Sequence, residues 1–593
     1  MTSVLDGKNI DAETRKRVEA WLAGGYDEET KTEIRRMLEE DPQALVDAFY
    51  TNLDFGTGGL RGLMGVGTNR MNVYTVRSAT QGLANYILRT VGTKTKPSVA
   101  IGYDSRRQSD VFAWEAARVL AGNGIKAYVY PELRPTPSVS FACRLKGCQA
   151  AIMITASHNP PEYNGYKVYW EDGAQILPPH DSGIIQEVRA IQSLDQIKIT
   201  PKTDRLIEQL GSDVDGAYLA AIQKLQHYPK ENAEHGADLK IVYTSLHGTG
   251  VTMVPKALQS WGFTSFSLVQ AQASPDGNFP TVRSPNPEEQ SALDLGIKQM
   301  ISEDGDILMA TDPDADRLGV VVMHKGAPEI LNGNQLACIC LHHVCEALCG
   351  QGKLPENAGF VKTIVTTELF RSIVEAYGKT CVDVLTGFKY VAEQIRLWEQ
   401  QTNGLQYIFG GEESYGYLLG TDVRDKDAIG ICTLVAEAAL HAKRQGKTLL
   451  DILYAIYHEH GVYLEKLFSL NFPETKEGKA AMSKALERLR STPPKEICGS
   501  RVVVQEDYLT QTRSFPTEGG RTEAITLPKS NVLLYRLEDG SKIAIRPSGT
   551  EPKVKIYVGA VNRSEGPVAA RIPICDAHAN FLIHMTRELL SAR

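Results

Sequence analysis

The sequence contains no long apolar run and only ten cysteines among its 593 residues. No segment reaches the roughly 20 consecutive apolar residues that a membrane-spanning helix requires, which argues against an integral membrane protein. The cysteines are sparse and irregularly spaced, as is usual for reduced intracellular thiols. The N-terminal twenty residues are polar and then amphipathic, without the apolar core of a signal peptide. We therefore expect a cytoplasmic protein.

An excess of basic charge is also missing. The chain has 64 Lys and Arg against 71 Asp and Glu, a formal net charge of -7. This balance argues against a nucleic-acid partner and against binding to an anionic membrane surface, and no obligate protein partner is evident. The hydrophobic fraction of 42% is typical of a globular protein, and the length exceeds what one core serves. Several domains are expected.

One stretch combines cysteine with histidine, and it could suggest a zinc site. The residues concerned are Cys338, Cys340, His342, His343, Cys345 and Cys349. Zinc ligands normally occur in pairs on turns, whereas this stretch has a continuous helical pattern. Cys338, Cys345 and Cys349 fall on one helix face, which favours small residues buried in a core.

The order of patterns predicts an α/β protein. Residues 10–50 have the spacing of a helical arm, and apolar strands followed by polar loops and helices begin near Pro97, Leu239 and Ala358. The last region instead predicts antiparallel strands with a turn at Asp539-Gly540. The expected domains are 1–230 (arm and first α/β domain), 231–330, 331–467 and 468–593.

The loop TASHNPPEYNGYKVYW, Thr155 to Trp170, follows an apolar strand at Ala150–Ile154 and displays Ser157. A polar loop at a strand end is where α/β proteins usually carry out their chemistry. The Gly-x-Ser-x-Gly elbow of hydrolases is absent, and His158 is adjacent in sequence and so poorly placed as a base. A hydrolase would need a triad assembled from distant residues.

A second loop, DPDADR, follows the apolar run ILMA and contains Asp312, Asp314 and Asp316. In an extended segment alternate residues point to one side, so the three carboxylates are expected to converge. Oxygen-only ligands favour Mg²⁺ or Mn²⁺. An EF-hand is excluded because Arg317 stands where glycine is needed and Met323 where glutamate is needed. A solvated acidic loop is the alternative, and the convergent spacing favours the metal.

Three further loops suggest recognition of sugar or phosphate. Glu412 and Ser414 in FGGEESYGY could bind adjacent sugar hydroxyls, although such glycine-rich turns are common. In RPSGTEPKVKIY, Arg546, Ser548, Thr550 and the backbone around Gly549 form a donor set suited to phosphate, with a plain hairpin as the alternative. The segment FGTGGLRG does not match the glycine fingerprint of dinucleotide-binding proteins, because Arg61 occupies the position of the third glycine. Contact with a phosphate group is a better interpretation of Arg61.

In combination these motifs resemble the α-D-phosphohexomutase family. The resemblance runs from about Leu53 to the end of the chain and includes TASHNP, DPDADR, GEESYG and RPSGTEP in the family's order. FGTGGLRG, PTVRSPNPEE and LTGFKYV are similar to the phosphoglucomutase branch, which includes phosphopentomutase-like enzymes. Ser414, absent in some of those relatives, favours a hexose. The implied architecture is three related α/β domains with mixed sheets plus a C-terminal α+β domain, around a central cleft.

The resemblance also implies a mechanism. Ser157 would be a phosphoserine that binds Mg²⁺ together with Asp312, Asp314 and Asp316, and Lys167 would be the general base, with His158 and Arg61 beside it. The implied reaction converts glucose 1-phosphate to glucose 6-phosphate through glucose 1,6-bisphosphate, which also primes the serine. The implied substrate contacts are Arg317, Thr386, Lys389, Glu412, Ser414, Lys426, Arg546, Ser548, Gly549 and Thr550.

Several alternatives remain open at the level of the sequence. Phosphopentomutase and phosphomannomutase would use the same mechanism on another sugar. A metal-dependent sugar phosphatase would transfer the phosphoryl group to water instead, and a regulatory protein could keep the fold without catalysis. The intact Ser157, Lys167 and three aspartates argue against the regulatory protein.

Overall fold

The computed structural model describes residues 10–56, 58–92, 96–548 and 552–591. Gly549 and Thr550, two of the predicted phosphate-loop residues, lie outside this description. The chain forms two compact units. The first contains the residues up to Leu331 together with Gly416–Leu440, and the second contains Asn332–Tyr415 together with the residues from His441 onward.

The predicted helical arm is present as three helices, Ala12–Ala23, Glu28–Glu40 and Pro42–Phe49. Each begins after an aspartate whose side chain accepts hydrogen bonds from the first-turn backbone. Their apolar faces form one small core around Trp21 and Phe49.

The first sheet has six strands in a mixed arrangement. Their order across the sheet is Gly59–Leu63, Tyr163–Trp170, Ala150–Ile154, Ser98–Tyr103, Lys126–Val129 and Ile207–Gln209. The helices of this region are Val73–Val91, Ser109–Gly122, Thr136–Leu145, His180–Arg189 and Ser212–Gln223, with a 3₁₀ turn at Leu194–Gln196. The strand Ala150–Ile154 is buried along its whole length, which explains its unbroken apolar sequence.

The second sheet has five strands and is also mixed. Their order is Ala327–Leu331, Leu318–His324, Ile307–Thr311, Ile241–Thr244 and Phe266–Leu268. The helices here are Pro229–His235, Val254–Ser260, Gln270–Ala273 and Gln290–Ser302, with 3₁₀ turns at Gly236–Asp238 and Thr249–Thr252. The aspartate loop joins the buried strand Ile307–Thr311 to its antiparallel neighbour Leu318–His324.

The second unit contains a parallel arrangement of Thr380–Val384, Ala358–Thr363 and Gln406–Gly411. Its helices between residues 332 and 460 are Gly333–Gly350, Glu368–Ala376, Phe388–Glu399 and Leu449–His460. The short strand Tyr417–Leu419 and most of the helix Ala428–Arg444 belong to the first unit. In the helix Gly333–Gly350, Cys338 and Cys345 are buried as expected. The placement of Cys349 on the same buried face is wrong, because Cys349 is exposed.

The C-terminal region is a sheet with two helices, Lys476–Ser491 and Val568–Ser591. The strand order is Val462–Asn471, Lys553–Asn562, Lys542–Pro547, Leu533–Leu537, Ser500–Asp507, Thr512–Phe515 and Arg521–Ala524, and Glu496–Ile497 pairs with Ser500–Asp507. The predicted hairpin turn is confirmed, with Gly540 at a φ of 90°. Three α/β regions and this C-terminal α+β region confirm the predicted fold class.

No helix in the part of the chain that the structure describes is both long enough and apolar enough to cross a bilayer.

Candidate active site

Ser157 lies in the turn that follows the buried strand Ala150–Ile154 and is itself buried. Its φ of 52° is left-handed, which is unusual for a residue other than glycine and often marks a functional position. The turn is held locally by a hydrogen bond from Ser157 N to Thr155 Oγ1 at 2.8 Å. The Ser157 hydroxyl donates to Asp312 Oδ2 at 2.7 Å and lies 3.2 Å from His158 Nδ1. The serine is therefore directed at the aspartate loop, 155 residues away in sequence.

The three aspartates of that loop converge as predicted, but not for the predicted reason. Asp312, Asp314 and Asp316 are buried, and one carboxylate oxygen from each lies within 4.8 Å of the others. The loop is a turn rather than an extended segment, with Ala315 at a φ of 50°. Asp312 Oδ1 closes the turn by accepting hydrogen bonds from the backbone of Asp316 at 3.2 Å and of Arg317 at 3.1 Å.

Two lysines offset part of this negative charge. Lys167 Nζ lies 2.7 Å from Asp314 Oδ2 and 3.2 Å from Asp316 Oδ2, and Lys426 Nζ lies 3.1 Å from Asp316 Oδ2. Burial opposes the charge on Lys167, but the two aspartates outweigh it and raise the pKa of Lys167. Burial also opposes ionisation of Asp314, yet Lys167 holds the pKa of Asp314 below its usual value.

The pKa of Asp312 shows that the two lysines do not offset all of the negative charge of the aspartates. Burial, and then repulsion from Asp314 and Asp316, raises the pKa of Asp312 well above its usual value. Oδ1 of Asp314 and Oδ1 of Asp316 are buried and have no hydrogen-bond partner among the described residues. Buried carboxylate oxygens without partners are costly unless a cation binds them. The three residues therefore fit a hard divalent metal ion bound by oxygen ligands alone.

Lys167 is positioned by strand pairing. It lies opposite Met153 on one neighbouring strand and opposite Gly59 on the other. Only glycine fits at position 59, because a Cβ atom there would lie 1.8 Å from the carbonyl oxygen of Tyr166. The glycine-rich motif around Arg61 thus brings that strand close to Lys167.

The predicted basic and histidine residues are found around the same turn. Arg61 is exposed and donates to Asn159 Oδ1 at 3.2 Å, and Arg317 lies 2.5 Å from Glu288. His158 is half-buried. Burial, with the positive charges of Arg317 and Arg61, lowers the pKa of His158 to about 3. His158 is consequently neutral at physiological pH.

Arg106 is a site residue that the sequence reasoning missed. Its guanidinium donates to four backbone carbonyls of the serine loop: Ser157 and Asn159 at 2.5 Å, Pro160 at 2.9 Å and Tyr163 at 3.0 Å. Asp104 lies 3.3 Å from Arg106 Nε, and both side chains are fully buried. The available signal was the sequence YDSRR, which places an acidic and a basic residue two apart directly after a buried strand.

The other predicted residues lie in the second unit. Thr386, Glu412 and Ser414 follow its parallel strands, Lys389 lies at the start of the helix Phe388–Glu399, and Arg546 and Ser548 lie in and just after the antiparallel strand Lys542–Pro547. Glu412 Oε1 accepts a hydrogen bond from Gly387 N at 2.9 Å, and Thr386 Oγ1 accepts one from Arg546 at 3.1 Å. Lys389, Ser414 and Ser548 are half-buried. Within this unit the structure brings together Arg546 and the Thr386–Gly387 segment that contacts Glu412.

Comparison with known proteins agrees with this geometry. Models of the phosphoglucomutase/phosphomannomutase α/β/α domains I, II and III match residues 52–195, 216–326 and 332–460. A phosphoglucomutase of Staphylococcus epidermidis is 40% identical over 86% of this chain and 91% of its own length. A phosphoglucomutase of Staphylococcus aureus is 39% identical over 89% of this chain and 93% of its own length.

A solved structure supports the fold. The open form of the exocytosis-sensitive phosphoprotein pp63/parafusin (phosphoglucomutase) from Paramecium superimposes with a TM-score of 0.68. The match covers 92% of this chain and 96% of that chain at 17% identity. Since the curated relatives cover most of the chain at about 40% identity, the chain belongs to the α-D-phosphohexomutase family, in its phosphoglucomutase branch.

Proposed function

We propose that this protein is a phosphoglucomutase that interconverts α-D-glucose 1-phosphate and glucose 6-phosphate. The observation that carries the proposal is the Ser157 hydroxyl, bonded at 2.7 Å to one of three buried, converging aspartates. A serine hydrolase would need a general base beside this serine. His158 Nδ1 lies 3.2 Å from the hydroxyl, closer than its place in the sequence predicted, but the lowered pKa of His158 makes it a weak base, and the hydroxyl donates to Asp312 instead. The names of the bacterial relatives support the glucose phosphates as substrates.

In the proposed cycle Ser157 carries a phosphoryl group. The phosphorus–oxygen bond to Ser157 breaks as a bond forms to the free hydroxyl of a sugar monophosphate, which gives glucose 1,6-bisphosphate. The hydroxyl proton passes to a nearby base, for which Lys167 is the candidate. Lys167 would act in its neutral form, after releasing the proton that Asp314 and Asp316 stabilise on it in this arrangement. The bisphosphate then reorients and returns its other phosphoryl group to Ser157, so the same compound can prime the enzyme.

Asp312, Asp314 and Asp316 would hold Mg²⁺ together with the phosphoserine. When bound, this ion would offset the roughly -1.5 to -2 charge of the phosphoserine and polarise the phosphoryl group. Lys167 and Lys426, which lie in the same unit as the aspartates, hold the carboxylates in their present arrangement through ion pairs. Arg106 keeps the serine loop in the conformation that directs Ser157 at Asp312.

The remaining residues have proposed roles in substrate binding. Glu412 and Ser414 would bind sugar hydroxyls, and Arg546 and Ser548, with Gly549 and Thr550, would bind the phosphate that is not reacting. Thr386, Lys389, Arg317 and Lys426 are further candidates, and Arg61 and His158 would line the serine loop. A cytoplasmic location and the absence of an obligate protein partner remain predictions.

The test is an isomerisation assay with Mg²⁺ and a trace of glucose 1,6-bisphosphate, in which released phosphate is measured as well. We expect isomerisation far faster than phosphate release, no activity in Ser157→Ala, and wild-type activity in the control Ser182→Ala. Unchanged activity in Ser157→Ala would contradict the mechanism. A tenfold preference for mannose or pentose 1-phosphates, about 1.4 kcal/mol, would overturn the choice of glucose, and dominant phosphate release would identify a phosphatase.

A further inference from the structure

The strand Lys542–Pro547 contacts the loops of the third α/β region at three successive points. Lys542, Ala544 and Arg546 alternate along the strand and so share one of its faces. The middle residue, Ala544, belongs to an apolar cluster with Ile364, Val365 and Leu385, which the loops after two neighbouring strands supply. This face of the C-terminal sheet is therefore packed on the loops that carry the predicted sugar contacts.

Lys542 is the buried end of this contact. Its Nζ donates at 2.7 Å both to the carbonyl oxygen of Thr366 and to Glu368 Oε1. Glu368 also binds Lys362 at 3.0 Å and Arg536 at 3.2 Å. Burial lowers the pKa of Lys542 to about 8, so the lysine remains charged at neutral pH. A buried charge with such partners holds its two chain segments in one relative position.

The contacts continue from Thr366 to the predicted sugar loop. Thr366 Oγ1 donates to Glu413 Oε2 at 3.3 Å, and Glu413 is adjacent to Glu412. Glu412 accepts from Gly387 N, and the preceding Thr386 accepts from Arg546. Arg546 is four residues from Lys542 on the same strand, so the contacts form a closed ring within the second unit.

We propose that Lys542 is a positioning residue that sets the distance between Arg546 and the Glu412 carboxylate. The inference rests on the proposed function, in which Arg546 binds phosphate and Glu412 binds sugar hydroxyls. A sugar phosphate that contacts both groups depends on their separation, whereas a free phosphate ion that contacts Arg546 alone does not. Lys542 thus helps the site to bind sugar phosphates of the right length, although Lys542 itself does not contact the substrate.

The main experiment compares Lys542→Met with the wild type by calorimetric titration and by kinetics. We expect glucose 6-phosphate to bind about tenfold more weakly, equivalent to about 1.4 kcal/mol, and inorganic phosphate to bind within twofold of the wild type. KM should rise by about tenfold while kcat changes less than threefold. Lys542→Arg, which keeps the charge and a donor, should recover most of the affinity.

The matched control is Lys362→Met, which removes a buried lysine from the same carboxylate but not from the C-terminal sheet. It should leave the affinity for glucose 6-phosphate within twofold. An equal loss in Lys362→Met would mean that buried charge alone matters, and it would overturn the positional role. Equal weakening of glucose 6-phosphate and inorganic phosphate by Lys542→Met would overturn it as well. If Lys542→Met does not fold, Glu368→Leu removes the carboxylate that Lys542 contacts and should give the same selective loss; its absence would also overturn the proposal.

A double variant gives the sharpest test. If Lys542 acts by placing Arg546, Lys542→Met should cost less than twofold in an Arg546→Ala background. Losses that simply multiply would overturn the inference. These titrations need no turnover, so a protein that binds glucose 6-phosphate without isomerising it would refute the proposed function and leave the positioning test intact.

Discussion

Arg106 is the residue on which the conformation of the serine loop depends most directly. Its guanidinium satisfies four backbone carbonyls, and the buried Asp104 carboxylate balances its charge. Removing one member of a buried charge pair leaves the other member uncompensated, which generally costs about 3–5 kcal/mol. The left-handed φ of Ser157 would also lose the contacts that maintain it.

We therefore predict that Arg106→Met destabilises the protein by about 3–5 kcal/mol and lowers activity by at least tenfold. The double variant Arg106→Met/Asp104→Asn should recover part of the stability, because the carboxylate is no longer stranded, but not the activity, because the loop is still unsupported. Denaturant unfolding and kcat measurements on the two single variants and the double variant test this. Additive losses of stability would contradict the pairing.

Glu465 provides a pH-dependent prediction. Its Oε1 is buried without a hydrogen-bond partner among the described residues, and burial raises the pKa of Glu465 to about 7. Because the folded state binds this proton more tightly than the unfolded state does, protonation of Glu465 stabilises the fold. This contribution is complete below the pKa that Glu465 has in the unfolded chain, and it is lost as pH rises through 7. The loss amounts to at most about 3 kcal/mol.

Glu465→Gln should therefore match the wild type within about 1 kcal/mol at pH 4 and be more stable by up to about 3 kcal/mol at pH 8. Thermal unfolding at the two pH values measures the difference. An advantage that is the same at pH 4 and pH 8 would show that the carboxyl does not titrate in this range.

The residues that were predicted and those that were missed differ in one physical respect. Ser157 and the three aspartates were predicted because their motifs place chemically distinctive side chains directly after apolar strands. Arg106 acts through backbone carbonyls 51 to 57 residues away, and no local pattern reveals such partners. The convergence of the aspartates was predicted from strand alternation, yet a turn closed by Asp312 produces it.

At the scale of elements, the loop after the strand Ile241–Thr244 packs against the aspartate loop and holds its backbone by hydrogen bonds. Thr249 donates from both its backbone N and its Oγ1 to the carbonyl oxygen of Pro313, each at 2.8 Å. Next to it, a Cβ atom on Gly248 would lie 2.3 Å from Pro313 Cα. Pro313 stands between Asp312 and Asp314, so any displacement there would alter their geometry.

Gly248→Ala should accordingly weaken Mg²⁺ binding by at least tenfold, because Pro313 must move. Gly216→Ala is the matched control: it lies inside the helix Ser212–Gln223, has no atom within 4 Å of the added Cβ, and should stabilise by about 1 kcal/mol. The measurement is the Mg²⁺ concentration needed for half of the increase in unfolding temperature. Wild-type Mg²⁺ dependence in Gly248→Ala would refute the supporting role of this loop.

The elements themselves were largely predictable. Ala150–Ile154 and Ile307–Thr311 were recognised because strands buried on both faces require unbroken apolar sequence. The edge strand Gly59–Leu63 was not, because it has few apolar residues and forms by pairing with Tyr163–Trp170, a hundred residues later.

At the scale of the whole molecule, the two compact units predict unfolding in more than one step. All three aspartates lie in the first unit. A ligand that binds only the folded form stabilises by about 2.7 kcal/mol at a hundredfold excess over its Kd. We expect two calorimetric transitions, and we expect Mg²⁺ to raise the unfolding temperature of the first unit only.

Two variants identify the transitions. Gly216→Ala should shift that of the first unit, and Glu465→Gln that of the second, because each residue lies in the respective unit. Asp314→Asn should abolish the response to Mg²⁺. A response to Mg²⁺ in the transition that Glu465→Gln shifts would contradict the assignment of the metal site.

The sequence pattern gave no sign that Gly416–Leu440 packs with the first unit. The contacts include hydrogen bonds from two buried tyrosines: Tyr169 donates to Asp425 at 2.9 Å and Tyr218 donates to Asp427 at 2.6 Å. These partners are 256 and 209 residues apart. Periodicity reports on neighbours along the chain and cannot detect such pairs.

The packing of Gly416–Leu440 on the first unit limits how the protein can be divided into fragments. A fragment ending at Leu331 would lack Asp425 and Asp427, the acceptors of Tyr169 and Tyr218, and would expose the surface on which Gly416–Leu440 packs. A fragment beginning at Asn332 would carry the strip Gly416–Leu440 without the body that covers it. Neither unit is therefore a module that can be expressed alone, exchanged between relatives or deleted. The gene can be varied by substitution and by loop insertion, but it has to be kept in one piece.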